Sequence, residues 1–372
     1  MKKIEQNIPD IFNILRALAV LCIYIIHSVM IIKAHYPDVK IPWGLYTPAW
    51  GGIWILFALS GYLLGKGFYN NKYKTDFNGI KEFWLNRIIR IVPMYWFFLL
   101  LTFLFVNPQW FINENIKVLI PLFTFTYNGI PGIDGVGATW FISTIMQLYL
   151  LAPLVYKFIF AKIKTHQIWI LLLIIGLGMG LRCLADLFDL DYYRWNYTFS
   201  LSNLDIFFGG MFLNALTQKS FDNKYKKILR PIAFIILFII IIAFTHKLSM
   251  KINWFYKYIA PSIFLSNTLL IVYLFDVKDK IKSLPLTFNN VVKNPLRFIE
   301  AFGIISFGFY LYHSIILHII PGVVSADNPT ALIFGTIIGT FIITTIWATC
   351  IYFMIEKPSN KFRYSLTRNN NK

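Results

Sequence analysis

The chain has 372 residues, of which 57% are hydrophobic and only 14% charged, with a formal net charge of +18. A soluble domain carries about a quarter charged residues, so this composition excludes an ordinary soluble enzyme and specifies a polytopic membrane protein. The positive charge would suit nucleic acid, but in so apolar a chain it has a plainer source, the concentration of Lys and Arg in cytoplasmic loops.

Ten apolar runs of membrane-spanning length predict an all-α transmembrane bundle, read as a single domain over 1–372. They lie near 11–33, 48–67, 88–106, 138–160, 168–188, 198–217, 230–246, 256–276, 301–321 and 330–355. A shorter piece, Ile116–Tyr127, is interrupted by Pro121 and reads as re-entrant or interfacial. Every second loop is basic, from the Lys66–Arg90 cluster to Lys357, Lys361, Arg363 and Arg368 at the end. That alternation places both termini in the cytoplasm, with 356–372 as a tail. Lys247, Lys251 and Lys257 run against the rule on the predicted outer side. Cys22, Cys183 and Cys350 lie in apolar segments without paired spacing, so they read as packing residues and not as a disulfide framework or metal site. The first apolar run lacks a small-x-small cleavage site and is expected to remain as the first span.

That first run, NILRALAVLCIYIIHSVM, holds two ionisable residues, Arg16 and His27. Eleven residues make close to three turns, so both occupy one helix face, about 16 Å apart along the axis. Ionisable groups within a span point to a functional site; a snorkelling arginine and a hydrogen-bonded packing histidine would also account for them. In the second run, Gly51, Gly52 and the Ser60-Gly61 pair allow helices to approach closely. Arg87 and Arg90 are three residues apart and share a face at the start of the third span, and Pro93 follows them. Two guanidiniums presented together suit a phosphate-bearing ligand, or they simply mark the cytoplasmic side.

The fourth span carries Trp140, which suits the outer interface, and Ser143 and Gln147, which share a polar face as a binding surface or as interhelical hydrogen-bonding groups. Asp205 lies close to the outer end of the sixth span, placed to pair with an arginine or reach the headgroups. In SFGFYLYHSIILHII, His313 falls near mid-membrane and is a catalytic or binding candidate. His318 is about 500° further round the helix and reads as interfacial, so the two do not form a metal site. The last span closes with Glu356-Lys357-Pro358.

Taken together, these segments resemble the integral-membrane acyltransferase-3 family, which includes bacterial O-acetyltransferases of envelope sugars. Arg16 through His27 resembles the family's Arg-x10-His signature. FALSGYLL, RIIRIVPMYW, SFGFYLYH and YFMIEKP resemble four further segments, in the family's order. One position departs: the family often has Trp-Ser-Leu-x-x-Glu-x-x-x-Tyr in the middle. Here Trp140, Gln147, Tyr149 and Pro153 fit, but the glutamate position is Ile145.

The resemblance implies a multi-pass protein of a bacterial cell membrane. It would move an acyl group, most simply acetyl, from acetyl-CoA to a hydroxyl of an envelope polysaccharide or lipid-linked sugar, with no resident cofactor or metal. Arg87 and Arg90 would hold the CoA phosphates. His27 would act as general base or carry the acyl group covalently, and Arg16 would orient the donor or stabilise developing charge. Trp140, Ser143, Gln147 and His313 would hold substrate. Some members carry an extracytoplasmic esterase-like domain, for which this chain is expected to have no room. A transporter or flippase of a lipid-linked glycan would also use intramembrane charge, but the sequence has no internal repeat and no paired broken helices. A scaffold that binds envelope precursors without turnover is a third reading.

Overall fold

The computed structural model describes residues 10–111, 116–129, 135–163, 168–216, 223–244, 255–275, 295–319 and 328–369, and among these there is no strand. The helices are α1 (Ile11–His35), α2 (Ala49–Tyr69), α3 (Phe77–Phe105), α4 (Ile116–Phe123), α5 (Trp140–Phe158), α6 (Ile168–Leu187), α7 (Leu204–Leu216), α8 (Asn223–Ala243), α9 (Ala260–Phe275), α10 (Pro295–Ile319), α11 (Pro329–Ile351) and α12 (Lys357–Asn369). Among the described residues, eight helical stretches are long and apolar enough to cross a membrane, and α7 and α8 supply two shorter apolar ones. All ten fall on the predicted runs. Rows of exposed Leu and Ile at three- and four-residue spacing give α6, α8 and α11 a lipid-suited outer face, as in Ile338, Ile342 and Ile346.

Two boundaries differ from the sequence reading. The third helix begins at Phe77, eleven residues before the predicted span, because Asp76 caps it by accepting from the Gly79 amide. Arg87 and Arg90 therefore sit three turns inside a helix. The sixth run is shorter than predicted: a π-helical turn (Tyr192–Thr198) and a 3-10 turn (Leu201–Asn203) precede α7.

Small residues set the tightest contacts, through α2. A Cβ added at Gly61 would lie 1.8 Å from the Phe207 carbonyl oxygen of α7, and one at Gly52 would lie 2.5 Å from the Ala19 oxygen of α1. The first and tenth helices meet closely as well, since a Cβ at Gly303 would lie 2.0 Å from the Asn13 oxygen. Gly61→Ala must push backbone from backbone, so it should destabilise the protein by about 1–3 kcal/mol or more. Thermal unfolding of detergent-purified protein measures this, with Gly176→Ala as control, because nothing lies within 4 Å of a methyl there. Equal midpoints for the two variants would refute the close-packing account.

Several polar groups inside the bundle are paired across helices. Tyr24 of α1 meets the Thr340 hydroxyl of α11 at 2.6 Å, within a threonine stripe of Thr336, Thr340 and Thr344 that is buried. Asp205 is buried and pairs with Arg182 of α6 at 2.6 Å, so it does not reach the headgroups. Lys257, which broke the charge rule, is bound to Asp186 at 2.9 Å, where Tyr258 and Asn196 also donate. An ion-paired lysine is a poor topology signal; Lys247 and Lys251 lie outside the described residues. Cys22 is half-buried, whereas Cys183 and Cys350 are exposed, on the outward faces of α6 and α11, and so are not packing residues.

Candidate active site

The first turns of α1 build a short polar chain. Asp10 accepts from the Phe12 amide at 2.9 Å and from Asn13 Nδ2 at 3.1 Å, and Arg16 Nη1 donates to Asn13 Oδ1 at 3.1 Å. This holds Arg16 toward a cavity of about 840 Å³ that α1, α2, α3, α5 and α10 enclose together with the Glu356 turn. Arg87 and Arg90 line the same cavity, so three arginines from two helices converge there. Lys72, Lys74 and Arg363 bring the cationic lining side chains to six, against the two carboxylates of Glu82 and Glu356. Such a cavity attracts an anion.

Arg87 is the most constrained of these groups. It is 8% exposed, and its guanidinium carbon lies 5.1 Å from the Phe83 ring centroid, 5.3 Å from Tyr149 and 5.6 Å from Tyr73. Nη2 donates to the Tyr73 hydroxyl at 2.6 Å, while Nε has no hydrogen-bond partner among the described residues. Aromatic rings fix the plane of the cation without using its N–H groups. A guanidinium held that way keeps donors in hand for an oxyanion.

Along the helices away from Lys72 and Lys74 the lining changes character. Beyond Arg16 on α1 comes Val20; on α5 come Ile145, Ile142 and Phe141; on α10 come Phe307 and Tyr310. Phe141 and Tyr310 line this end with ring centroids 5.4 Å apart, and Phe57 packs on Phe141 at 4.8 Å. Tyr310 is anchored through its hydroxyl, which donates to the Ala138 carbonyl.

Behind that wall the two candidate histidines meet. His27 Nδ1 lies 2.9 Å from His313 Nε2, and the rings are within 15° of parallel. His313 is 1% exposed, its ring lies 5.9 Å from that of Tyr310, and its Nδ1 lies 2.6 Å from the Tyr310 carbonyl oxygen. The bonding fixes the tautomers of the neutral pair. A carbonyl only accepts, so His313 carries its proton on Nδ1 and presents a lone pair at Nε2. His27 must then donate from Nδ1, which leaves its own Nε2 as a lone-pair nitrogen with no partner among the described residues. His318 is half-buried, with Nδ1 at 2.7 Å from the Ser314 carbonyl of its own helix, and lies within electrostatic range of both His27 and His313.

The remaining candidates lie elsewhere. Trp140 is 4% exposed and packs on Tyr197 at 4.7 Å, so it is an interior residue and not an interfacial one. Ser143 is buried with no bond from its hydroxyl among the described residues, and Gln147 Nε2 donates to the Phe125 carbonyl at 2.8 Å. None of these three lines the cavity; their neighbours Phe141, Ile142, Ile145 and Tyr149 do. Reading the sequence missed Tyr73 and Tyr149 as ring partners of Arg87, and Glu356 and Arg363 as cavity residues. The Phe83-Arg87 spacing of four was the one available signal. Among the described residues no group of three or more His, Cys, Asp or Glu is placed to hold a metal.

A helical bundle with an arginine-lined cavity on one side of a buried histidine pair is an arrangement suited to an integral-membrane transferase. The acyltransferase domain family matches residues 10–352, and the chain belongs to it, the acyltransferase-3 family. Among curated proteins it is similar to the O-acetyltransferase OatA of Staphylococcus aureus, strains NCTC 8325 / PS 47, COL and MRSA252. In each case identity is 26% over 153 residues, which is 35% of this chain and 24% of the relative. The matched part is thus about a quarter of those relatives' length. No solved structure matches.

Proposed function

We propose that the chain transfers an acyl group from a CoA thioester, acetyl-CoA in the simplest case, to a hydroxyl of an envelope glycan or lipid-linked sugar in a bacterial cell membrane. The observation that carries this reading is the pairing of an arginine-lined cavity with a histidine dyad across one aromatic wall. Phosphates suit Arg16, Arg87 and Arg90 by charge. Arg16 serves the donor and not the histidines, from which it is separated by about 16 Å of α1. The alternation of basic loops supports a cytoplasmic side for both termini and for the cavity's basic mouth.

In the reaction, His27 Nε2 takes the proton of the acceptor hydroxyl while the oxygen attacks the thioester carbonyl carbon. The C–S bond breaks, and the CoA thiolate leaves and takes the proton from the His27 imidazolium, which restores the neutral base. His313 orients His27 and accepts its Nδ1 hydrogen bond, the role a carboxylate has in other histidine dyads. Tyr310 touches both sides, lining the cavity and lying against His313, so the acyl carbon and the base meet at this wall. Purified full-length protein supplied with radiolabelled acetyl-CoA and a panel of envelope glycans should yield a glycan heavier by one acetyl group. Glycan movement across proteoliposomes with no acylated product would replace this reading with transport.

A further inference from the structure

Toward the C-terminal ends of α1 and α10 a third histidine joins the dyad. His313 is buried, but His27 and His318 are both half-buried, and neither lines the arginine cavity. Their exposed edges therefore open elsewhere than into that cavity. Met30, one turn past His27, is exposed, and so is Ile319, which ends α10 beside His318. His318 lies within electrostatic range of His27.

Hydrogen bonding fixes what the two open rings can offer. His318 Nδ1 faces the Ser314 carbonyl oxygen at 2.7 Å, and a carbonyl only accepts, so the neutral ring keeps its proton on Nδ1. Its Nε2 is left as a lone pair with no partner among the described residues. His27 Nε2 is in the same state, because Nδ1 of that ring donates to His313. Two helices thus present two acceptor nitrogens and no N–H. A lone alcohol carries one hydroxyl hydrogen and satisfies one of them. A sugar with two neighbouring hydroxyls satisfies both.

We infer that His318 determines acceptor specificity: its Nε2 accepts a hydrogen bond from a second hydroxyl of the sugar whose first hydroxyl gives its proton to His27. The inference rests on the transfer reading above and narrows the acceptor to a sugar with two neighbouring free hydroxyls. The second hydroxyl keeps its proton and is not acylated. A sugar already acylated there has lost that O–H, so each such pair should be acylated once.

The test uses purified full-length protein, acetyl-CoA, and methyl glycosides of the sugars in the envelope glycans, each beside its monodeoxy analogues. In wild type, deleting the hydroxyl next to the acylated one should lower kcat/KM about three- to tenfold, the effect of one lost hydrogen bond, mainly through KM. His318→Ala should abolish this preference, so that intact and deoxy acceptors react alike. His318→Gln keeps an acceptor oxygen and should restore part of it. A packing role for His318 would instead lower both acceptors equally and leave their ratio unchanged. Binding of free CoA, on the far side of the aromatic wall, reports that each variant is folded. A ratio near one in wild type, or a ratio that survives His318→Ala, overturns the inference and leaves the transfer reading standing. Acylation of no glycan or glycoside by protein that binds CoA overturns the transfer reading, and this inference with it.

Discussion

Replacing His27 by alanine should leave the protein at normal abundance in the membrane and reduce acyl transfer by at least about 100-fold, the loss typical of a missing general base. Insertion is unaffected because removing a polar group from a span makes the span more apolar. The His313 variants separate positioning from bulk packing. His313→Ala removes the acceptor that fixes the His27 tautomer, and His27 can then turn its proton the wrong way, so most activity should be lost. His313→Gln keeps an acceptor oxygen near the position of Nε2 and should recover part of it. A purely structural role for His313 predicts no difference between Ala and Gln at equal protein levels. His318→Ala should cost far less than His27→Ala, since His318 hydrogen-bonds a backbone carbonyl of its own helix and neither ring of the dyad. The assay is the mass of the modified glycan, and a full acyl increment in His27→Ala would remove this residue from the mechanism.

Arg87 and Arg90 carry the second large effect. Each charge-assisted hydrogen bond to phosphate contributes about 1.5–3 kcal/mol, so each alanine variant should weaken donor binding by about tenfold or more. Arg87→Lys should recover less than Arg90→Lys. The Arg87 site is shaped for a flat cation, with Phe83, Tyr149 and Tyr73 rings around the guanidinium, and an ammonium cannot stack and donate from the same plane. Equilibrium binding of CoA to the two single and the double variants measures this. Unchanged affinity in the double alanine variant would leave both arginines as topology signals.

What the sequence made legible follows from the range over which each rule works. Span positions depend on local composition, and the ten apolar runs coincide with helices. The start of α3 was missed because its first turns are amphipathic and polar, so hydropathy cannot see them, although Asp76 stands at their cap. Arg16, Arg87 and Arg90 were marked as functional, and they do share one cavity. The dyad was half visible: His27 and His313 were each singled out, but they are 286 residues apart, and periodicity describes faces of one helix, not which faces meet. Trp140, Ser143 and Gln147 show the same limit, since a polar stripe on α5 gives no sign of whether it turns toward the cavity or toward Tyr197 and Phe125.

The aromatic wall of Phe57, Phe141 and Tyr310 also bears on the electrical state of the membrane. Carrying one elementary charge across a membrane costs or yields about 2.3 kcal/mol per 100 mV. Under the proposed reaction the donor's phosphates remain with the arginines on one side of that wall, and the acyl group that advances past it is balanced by the acceptor hydroxyl's proton, which His27 passes back to the CoA thiolate. With one proton returned for each acyl group transferred, turnover should be insensitive to membrane voltage, and close-packed rings in place of a water column leave no standing path for ions.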